Sequence, residues 1–316
     1  MKGLTKQFEN VYIVLLNYNG AEDTISCIES LASTGLKNLN IVIVDNKSTD
    51  NSVERIECYL KSNSTIDNQK SYYNVDSNRI SLILSDCNGG YGYGNNLGIK
   101  YALSQKADYI VVLNNDVVVA SDFISPLISE SKLDARVGIL SPKILFHPEV
   151  NKVWFAGGSY SLITGRAKHL FFGSDVGNTD FTNIESTFNS GCCWLIPAHV
   201  FDKVGLINDD YFMYVEDVEF CHRVQMAGFT LKVVPDSTIY HKVGASTGRD
   251  SDFSIYWTSR NTIRFLLENT KKYQCFFSIP YYIAFISFLY LKRKQISSLI
   301  PHFKGVYSGL TYMFNR

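Results

Sequence analysis

Apolar positions in the first half of the chain fall into short unbroken runs separated by mixed stretches. Val11–Leu16, Ile41–Val44 and Tyr109–Leu113 are such runs, and Ser81–Leu84 is a shorter one. Runs of this length and β-branched character predict strands buried on both faces. Between them, Asp23–Ser33, Ser52–Lys61 and Asn95–Gln105 predict helices. In the second of these, Val53, Ile56 and Leu60 recur at helical spacing. Residues 62–79 are polar, rich in Ser and Asn, and predict a loop. Strands alternating with helices predict an α/β fold whose parallel sheet is covered on both sides. In such sheets ligands bind beyond the carboxyl ends of the strands. Asn17-Tyr18-Asn19, Asp45-Asn46 and Asn114-Asn115-Asp116 each follow such an end, so they are expected to converge in one crevice.

The second half is less regular. Residues 146–190, rich in Gly, Asn and aromatics, suggest short strands and loops. Gly191–Ile196 predicts a strand and Ala198–Val204 a short helix. Glu216–Ala227 predicts a helix closed by Gly228, a suitable C-terminal cap. Phe229–Val234 and Thr238–His241 read as extended, and Ser254–Asn269 as a long helix.

Composition sharpens this picture unevenly. The chain has 316 residues, is 46% hydrophobic and balances 30 Lys+Arg against 30 Asp+Glu. That excludes wholesale disorder and allows one large or two modest domains. The zero net charge hides a polarity. Residues 271–316 hold seven basic residues (Lys271, Lys272, Lys292, Arg293, Lys294, Lys304, Arg316) and no acid, leaving residues 1–270 at −7. The same tail holds 12 of the 43 aromatics. An acidic body argues against a nucleic-acid partner. The seven Cys show no CxxC pair, so reduced thiols in a cytoplasmic setting are expected. The apolar run at Val11–Leu16 is too short for the apolar region of a secretory signal.

Several clusters could carry chemistry, each with a plainer reading beside it. Asp45 can accept hydrogen bonds from a base or ribose, but Asp45-Asn46-Lys47-Ser48-Thr49-Asp50 also reads as turn chemistry. Asn88–Gly98 is Gly-rich and precedes a helix. Its glycines permit close approach of a phosphate, or simply make a flexible loop. The dinucleotide fingerprint GxGxxG is absent, because Gly92, Gly94 and Gly98 give GxGxxxG. Asp116 is placed to hold a divalent cation against a diphosphate. Magnesium and manganese take one or two carboxylates plus substrate phosphates. Glu216 and Asp217 open a helix behind Tyr211-Phe212-Met213-Tyr214, where aromatic surroundings raise a carboxylate pKa toward that of a usable general base. They also complement a helix dipole. Glu219 and Arg223, four residues apart, read as a surface pair. His241, alone at a strand end, reads by itself as structural.

Taken in order, VYIVLLNYNG, IVIVDNKSTDNSVE, NGGYGYGNNLGIK, YIVVLNNDVVV, GCCWLIPAHVFDKVGLINDDYFMYVEDVEFCHRVQMAGF and IYHKVGAST closely resemble the inverting family-2 glycosyltransferases. The resemblance is nearest to the rhamnosyl- and galactofuranosyl-transferase branch and covers residues 10–270. It implies a GT-A fold, a Rossmann-like mixed sheet flanked by helices, with a C-terminal helical extension. Residues 1–250 would form the catalytic domain and 251–316 the extension. It also implies a nucleotide-sugar donor (a UDP- or TDP-sugar), a divalent cation (Mn or Mg) and a glycan or polyprenyl-linked glycan acceptor. Leu16, Asn17, Tyr18, Asn19 and Asp45 are expected to line the nucleoside pocket. Asn96 is expected to border the donor, with Asn114 and Asn115 in the donor-binding set. Asp116 matches the last acid of the Asp-x-Asp metal motif and His241 the distal metal-binding His. Asp217 matches the general base, with Glu216 beside it. The first position of Asp-x-Asp is Asn114 here, so the metal brings less protein charge with it. The competing classes are a glycosyltransferase fold without catalysis and a nucleotidyltransferase. The latter calls for a basic phosphate loop after the first strand, where this chain reads Asn17-Tyr18-Asn19-Gly20.

In the tail, Tyr273–Leu291 is 19 residues without a charge, flanked by Lys271-Lys272 and Lys292-Arg293-Lys294. Pro280 and four Tyr make it only moderately apolar, so helices lying at the inner surface of a membrane are expected rather than a span. A packed helical pair with homodimer contacts is the alternative.

Overall fold

The structure is a computed structural model and describes residues 9–34, 39–67, 72–182, 184–242 and 251–312. The end of the IYHKVGAST segment, 243–247, lies outside the described residues. The expected strands and helices form β1 (Val11–Asn17), α1 (Ala21–Ser33), β2 (Asn40–Asp45) and α2 (Ser52–Asn63). After them come β3 (Thr65–Asp67), β4 (Tyr72–Val75), β5 (Asn78–Leu84), α3 (Gly90–Ser104) and β6 (Tyr109–Asn114). Next are β7 (Val117–Val119), α4 (Ile124–Leu133), β8 (Val137–Phe146), β9 (Val153–Phe155), β10 (Gly158–Ser161) and β11 (Arg166–His169). The chain continues through β12 (Cys193–Pro197), α5 (Ala198–Val204), α6 (Glu216–Met226), β13 (Thr230–His241), α7 (Asp252–Asn269), α8 (Lys272–Lys292) and α9 (Leu299–Tyr312).

The main sheet runs β3-β4-β5-β2-β1-β6-β12-β8-β13-β7, with β9 beside β8. Strands β5, β2, β1 and β6 are mutually parallel, as the apolar runs predict. Beyond β6 the sheet is mixed: β12 lies antiparallel to both β6 and β8, and β13 runs parallel to β8. The sheet is therefore not parallel throughout but mixed, as the family resemblance implies. Burial pattern alone does not encode strand direction when both faces are covered. The stretch 62–79 is not a loop either. It holds β3, β4 and the start of β5, joined by a two-residue turn in which Asp76 and Ser77 both take positive φ. That is the backbone a tight hairpin turn demands.

Two features of this topology position the site. First, β2 and β6 flank β1 on opposite sides, so the strand order reverses at β1 and a crevice opens at the carboxyl ends there. Second, β12 enters antiparallel, so its first residues, not its last, lie beside that crevice: Cys193 pairs with Leu113, and Asn114 N–H donates to the Cys192 carbonyl at 2.9 Å. The strands are buried in one continuous core. A smaller apolar cluster of Ile263, Leu266, Ile279, Tyr282 and Val306 joins α7, α8 and α9.

Candidate active site

At the ends of β1 and β2, Asn17 faces Asp45 in register. Asn17 Nδ2 donates to Asp45 Oδ2 at 2.7 Å, and the Ser48 amide and hydroxyl donate to the same carboxylate at 2.8 and 2.6 Å. Thr24 Oγ1 donates to Asn17 Oδ1 at 2.8 Å. Asn19, at φ 53, accepts from the Thr49 amide at 2.8 Å and donates to Thr49 Oγ1. Asp45 and Asn17 are thus buried organisers of this pocket wall, and the Asp45 carboxylate serves the turn. Tyr18 is the exposed aromatic of the group, and Leu16 packs under Gly94. Asn115 ties β6 to α1 by donating to Thr24 Oγ1 at 2.9 Å, while Asn114 sits half-exposed at the strand end. Asn96 is tied within the fold. Its buried amide donates to the Ile207 carbonyl at 2.7 Å and accepts from the Ile207 N–H at 3.1 Å, so it pins α3 to the loop before α6.

The Gly-rich segment is not a loop but the first turns of α3. Its glycines are there for contact. A Cβ at Gly90 would sit 2.1 Å from the Phe212 carbonyl oxygen, and one at Gly98 would sit 2.4 Å from Val14. Gly90 also takes φ +85, open to glycine alone at no cost. The Tyr91 N–H then donates to the Phe212 carbonyl at 2.7 Å.

Asp116 and His241 meet across the β7–β13 edge, where His241 pairs with Val117. Asp116 Oδ2 and His241 Nε2 are 3.2 Å apart, and both residues are 8% exposed. The Trp154 ring stands edge-on to His241 with centroids 4.4 Å apart and fixes its plane. Asp116 Oδ1 and His241 Nδ1 are buried without a hydrogen-bond partner. Unsatisfied donor atoms in a buried pair fit a divalent cation. No group of three His, Cys, Asp or Glu gathers among the described residues. Such an ion would take its remaining oxygens from water and diphosphate.

Glu216 and Asp217 open α6. The segment before them is strained: Phe212, Tyr214 and Val215 all take positive φ, and for β-branched Val215 at 70° this is a real outlier. Asn261 on α7, wholly buried, holds it. Its Nδ2 lies 2.7, 2.8 and 2.8 Å from the carbonyls of Tyr211, Met213 and Tyr214. The two acids end in different environments. Asp217 is partly exposed, with Val218 N–H donating to Oδ1 at 2.8 Å and Gly191 N–H to Oδ2 at 3.4 Å. Burial raises its pKa, and those backbone donors oppose the rise. Glu216 is 6% exposed, and its Oε2 has no partner. Burial first, and the neighbouring Asp217 charge second, push its pKa up to about 8. Burial and the Asp217 charge together favour the protonated form of Glu216, so Asp217 is the first of the pair to ionise. Gly191 is also the acceptor for the Tyr91 hydroxyl at 2.5 Å, so α3, β12 and α6 close on Asp217 together. Gly191 adjoins Cys192, whose thiol is pushed up by burial and then by Asp116, so the two acidic centres lie on either side of one strand end.

The raised Glu216 pKa makes a stability prediction. Between its ordinary value of 4.5 and about 8, the folded state binds a proton that the unfolded state has released, so stability falls as pH rises through that window. Glu216→Gln removes the group. Its melting temperature is expected to exceed that of the wild type at pH 9, with the gap closing below pH 5. Parallel melting curves across that range would place the charge elsewhere.

Two other features depart from expectation. Glu219 and Arg223 are no surface pair: Glu219 is buried, and the guanidinium also donates to the carbonyls of Val204 and Leu206, clamping α5 to α6. A separate hollow lined by Asp108, Lys132 and His199 opens at the amino end of β6, away from these groups.

The model of glycosyl transferase family 2 matches residues 12–205. The chain belongs to that family. It is similar to a low-salt glycan biosynthesis hexosyltransferase of Haloferax volcanii, 29% identical over 251 residues, covering 75% of this chain and 77% of the relative. It is also similar to an N-acetylglucosaminyl-diphospho-decaprenol L-rhamnosyltransferase of Mycobacterium tuberculosis, 25% identical over 276 residues, covering 81% and 83% of the two chains. Among solved structures, a mannosyltransferase of Pyrobaculum calidifontis in complex with GDP-Man and Mn2+ superposes with a TM-score of 0.59 at 12% identity, covering 96% of this chain and 88% of that one. The fold of this glycosyltransferase is therefore GT-A.

Proposed function

We propose that the protein is an inverting glycosyltransferase that moves a sugar from a nucleotide-sugar donor to a hydroxyl of a glycan or polyprenyl-linked glycan. The observation that carries this reading is the division of labour at α6. One acid, Glu216, is buried, and burial and the Asp217 charge favour its protonated form; its neighbour, Asp217, is partly exposed and held by two backbone N–H groups. A single displacement that inverts the anomeric carbon needs one base and no protein nucleophile. Asp217 takes the proton from the acceptor hydroxyl as its oxygen bonds to the anomeric carbon and the nucleoside diphosphate leaves from the opposite face. Asp116 and His241 would hold a manganese or magnesium ion, whose charge would offset that of the diphosphate. Tyr18 and the β1–β2 pocket wall receive the nucleoside. The UDP- or TDP-sugar donor rests on the family resemblance. The lipid-linked acceptor class is carried over from the mycobacterial relative named for decaprenol.

The test is transfer from a panel of UDP-, TDP- and GDP-sugars, with the product's anomeric configuration read by NMR. Inversion is expected; retention would require a different mechanism. Excess chelator is expected to abolish turnover and manganese to restore it. Asp116→Asn and His241→Ala should each raise the manganese needed for half-maximal rate by roughly ten-fold or more. An unchanged metal titration in both variants would leave the pair a structural role.

A further inference from the structure

The tail presents an apolar surface that nothing among the described residues covers. On α8, Tyr273, Phe277, Tyr281, Phe288 and Leu291 are exposed, and Ala284 fills the gap in their spacing. Steps of four, four, three, four and three residues put them in one stripe along the helix. On α9, Ile300, Phe303 and Tyr307 form a second exposed stripe, with Tyr307 at 71%. The opposite faces are committed. Ser278, Ile279 and Tyr282 of α8 are buried, with Ile279 and Tyr282 packing with Ile263 and Leu266 of α7. Gly305 and Gly309 of α9 lie so close to α7 that a Cβ at either would meet backbone oxygen of Tyr256 or Arg260 within 2.5 Å. Arg166, from the β10–β11 hairpin, lies 4.1 Å over the Phe285 ring.

The charges frame these stripes. Lys271 and Lys272 stand at the start of α8, Lys292, Arg293 and Lys294 at its end, and Lys304 within the α9 stripe, and no acid follows Glu268. We infer that α8 and α9 form a docking face for an anionic lipid bilayer, lying in its plane with the aromatic stripes in the interface and the cations at the headgroups. Charge selects this occupant. A second copy of the chain meeting the same face across a two-fold axis would bring cations onto cations, whereas an anionic leaflet complements them. Packing selects the orientation. Helix α8 is long and apolar enough to cross a membrane by length and composition. To span, however, it would have to abandon α7 and the Arg166 contact. Lying flat, it keeps both and still buries the stripe.

The experiment uses the full chain and vesicles of phosphatidylcholine with or without phosphatidylglycerol, read by co-sedimentation at low and high salt. Binding is expected only with phosphatidylglycerol, and weaker at high salt. Lys292→Gln, Arg293→Gln and Lys294→Gln together should weaken it roughly 100-fold, at about five-fold per cation. Phe277→Glu with Phe288→Glu should abolish it, with an unchanged melting temperature because both side chains are exposed. Equal binding to neutral vesicles, or none to anionic ones, overturns the inference. So does resistance of bound protein to alkaline carbonate extraction, which marks a span. A dimer in sedimentation velocity that is dissolved by the two Glu substitutions assigns the face to self-association instead. Neither vesicle binding nor its loss depends on turnover, so this result stands apart from that of the transfer assay.

Discussion

Asp217→Asn is expected to lower sugar transfer by about 10³-fold, the scale of general-base assistance, while donor affinity stays near that of the wild type. The change is nearly isosteric. The amide oxygen still accepts from Val218 N–H, the shorter of the two bonds, so the start of α6 is kept, while the longer contact with Gly191 N–H is given up. What disappears is the capacity to take a proton. In the wild type, transfer should rise with pH as Asp217 ionises, and the acid limb should lie above the ordinary Asp range because burial raises this group. In the variant the residual rate should lose that limb. Steady-state transfer across pH, beside a binding titration with the same nucleotide sugar, checks both parts. Near-normal turnover would remove Asp217 from the chemistry. Normal turnover here combined with a dead Glu216→Gln would move the base one residue back.

The residues that carry this prediction were legible in the sequence because their chemistry is local. Acids following aromatics at a helix start, and polar triplets ending apolar strands, are visible without a fold. Helices α1, α2, α5, α6 and α7 and strands β1, β2 and β6 follow their periodicity closely. What could not be read was set by distant partners. Strand β8, ten residues long, is broken in sequence by Ser141-Pro142-Lys143, and neither it nor β7 and α4 showed a pattern of their own. Strand β13 reads as two pieces because Pro235-Asp236 lie in an irregularity where the register with β8 shifts. The Gly-rich segment shows the same limit. Glycines suggest a loop on intrinsic propensity, yet here they let a helix start against Phe212, Leu16 and Val14, and packing outweighs propensity.

Asn96 and Asn261 show how far a residue type misleads about its role. Asn96 stands in a motif and is also a buried tie to Ile207. Asn261 stands in no motif, in mid-helix, where Asn is a poor helix former. Its three carbonyl partners lie 47 to 50 residues away in sequence. The one signal available was a polar residue on the apolar side of α7, flanked by Arg260 and Thr262 that disguise it.

Asn261→Leu is the second large effect expected. The variant keeps the branching at Cγ, with bulkier methyls in place of the amide, and removes the donor shared by the Tyr211, Met213 and Tyr214 carbonyls, a loss of about 1–3 kcal/mol. That segment already stores strain at Phe212, Tyr214 and Val215, on the order of 1–3 kcal/mol for each such residue. Other restraints include the Tyr91 N–H bond to Phe212, the stacking of Phe212 on Trp257, with centroids 4.8 Å apart, and the edge contact of Tyr214 with Phe253. Tyr214 and Val215 lead directly from this segment into Glu216 and Asp217. Release of the strain should therefore swing the start of α6, and a displacement near 1 Å at a reacting group costs roughly 10²-fold in rate. The proposed nucleoside site lies at the ends of β1 and β2, so KM for the nucleotide sugar should change little while kcat falls. The acid limb of the pH–rate profile should also move, because Asp217 loses its alignment with Gly191 N–H. A residue that only held the fold would lower the melting temperature and the amount of active enzyme, yet leave kcat per folded molecule and the pH profile where they were. Asn261 thus acts through Asp217 as a positioning residue, and the kcat-against-KM split in Asn261→Leu separates that role from support of the fold.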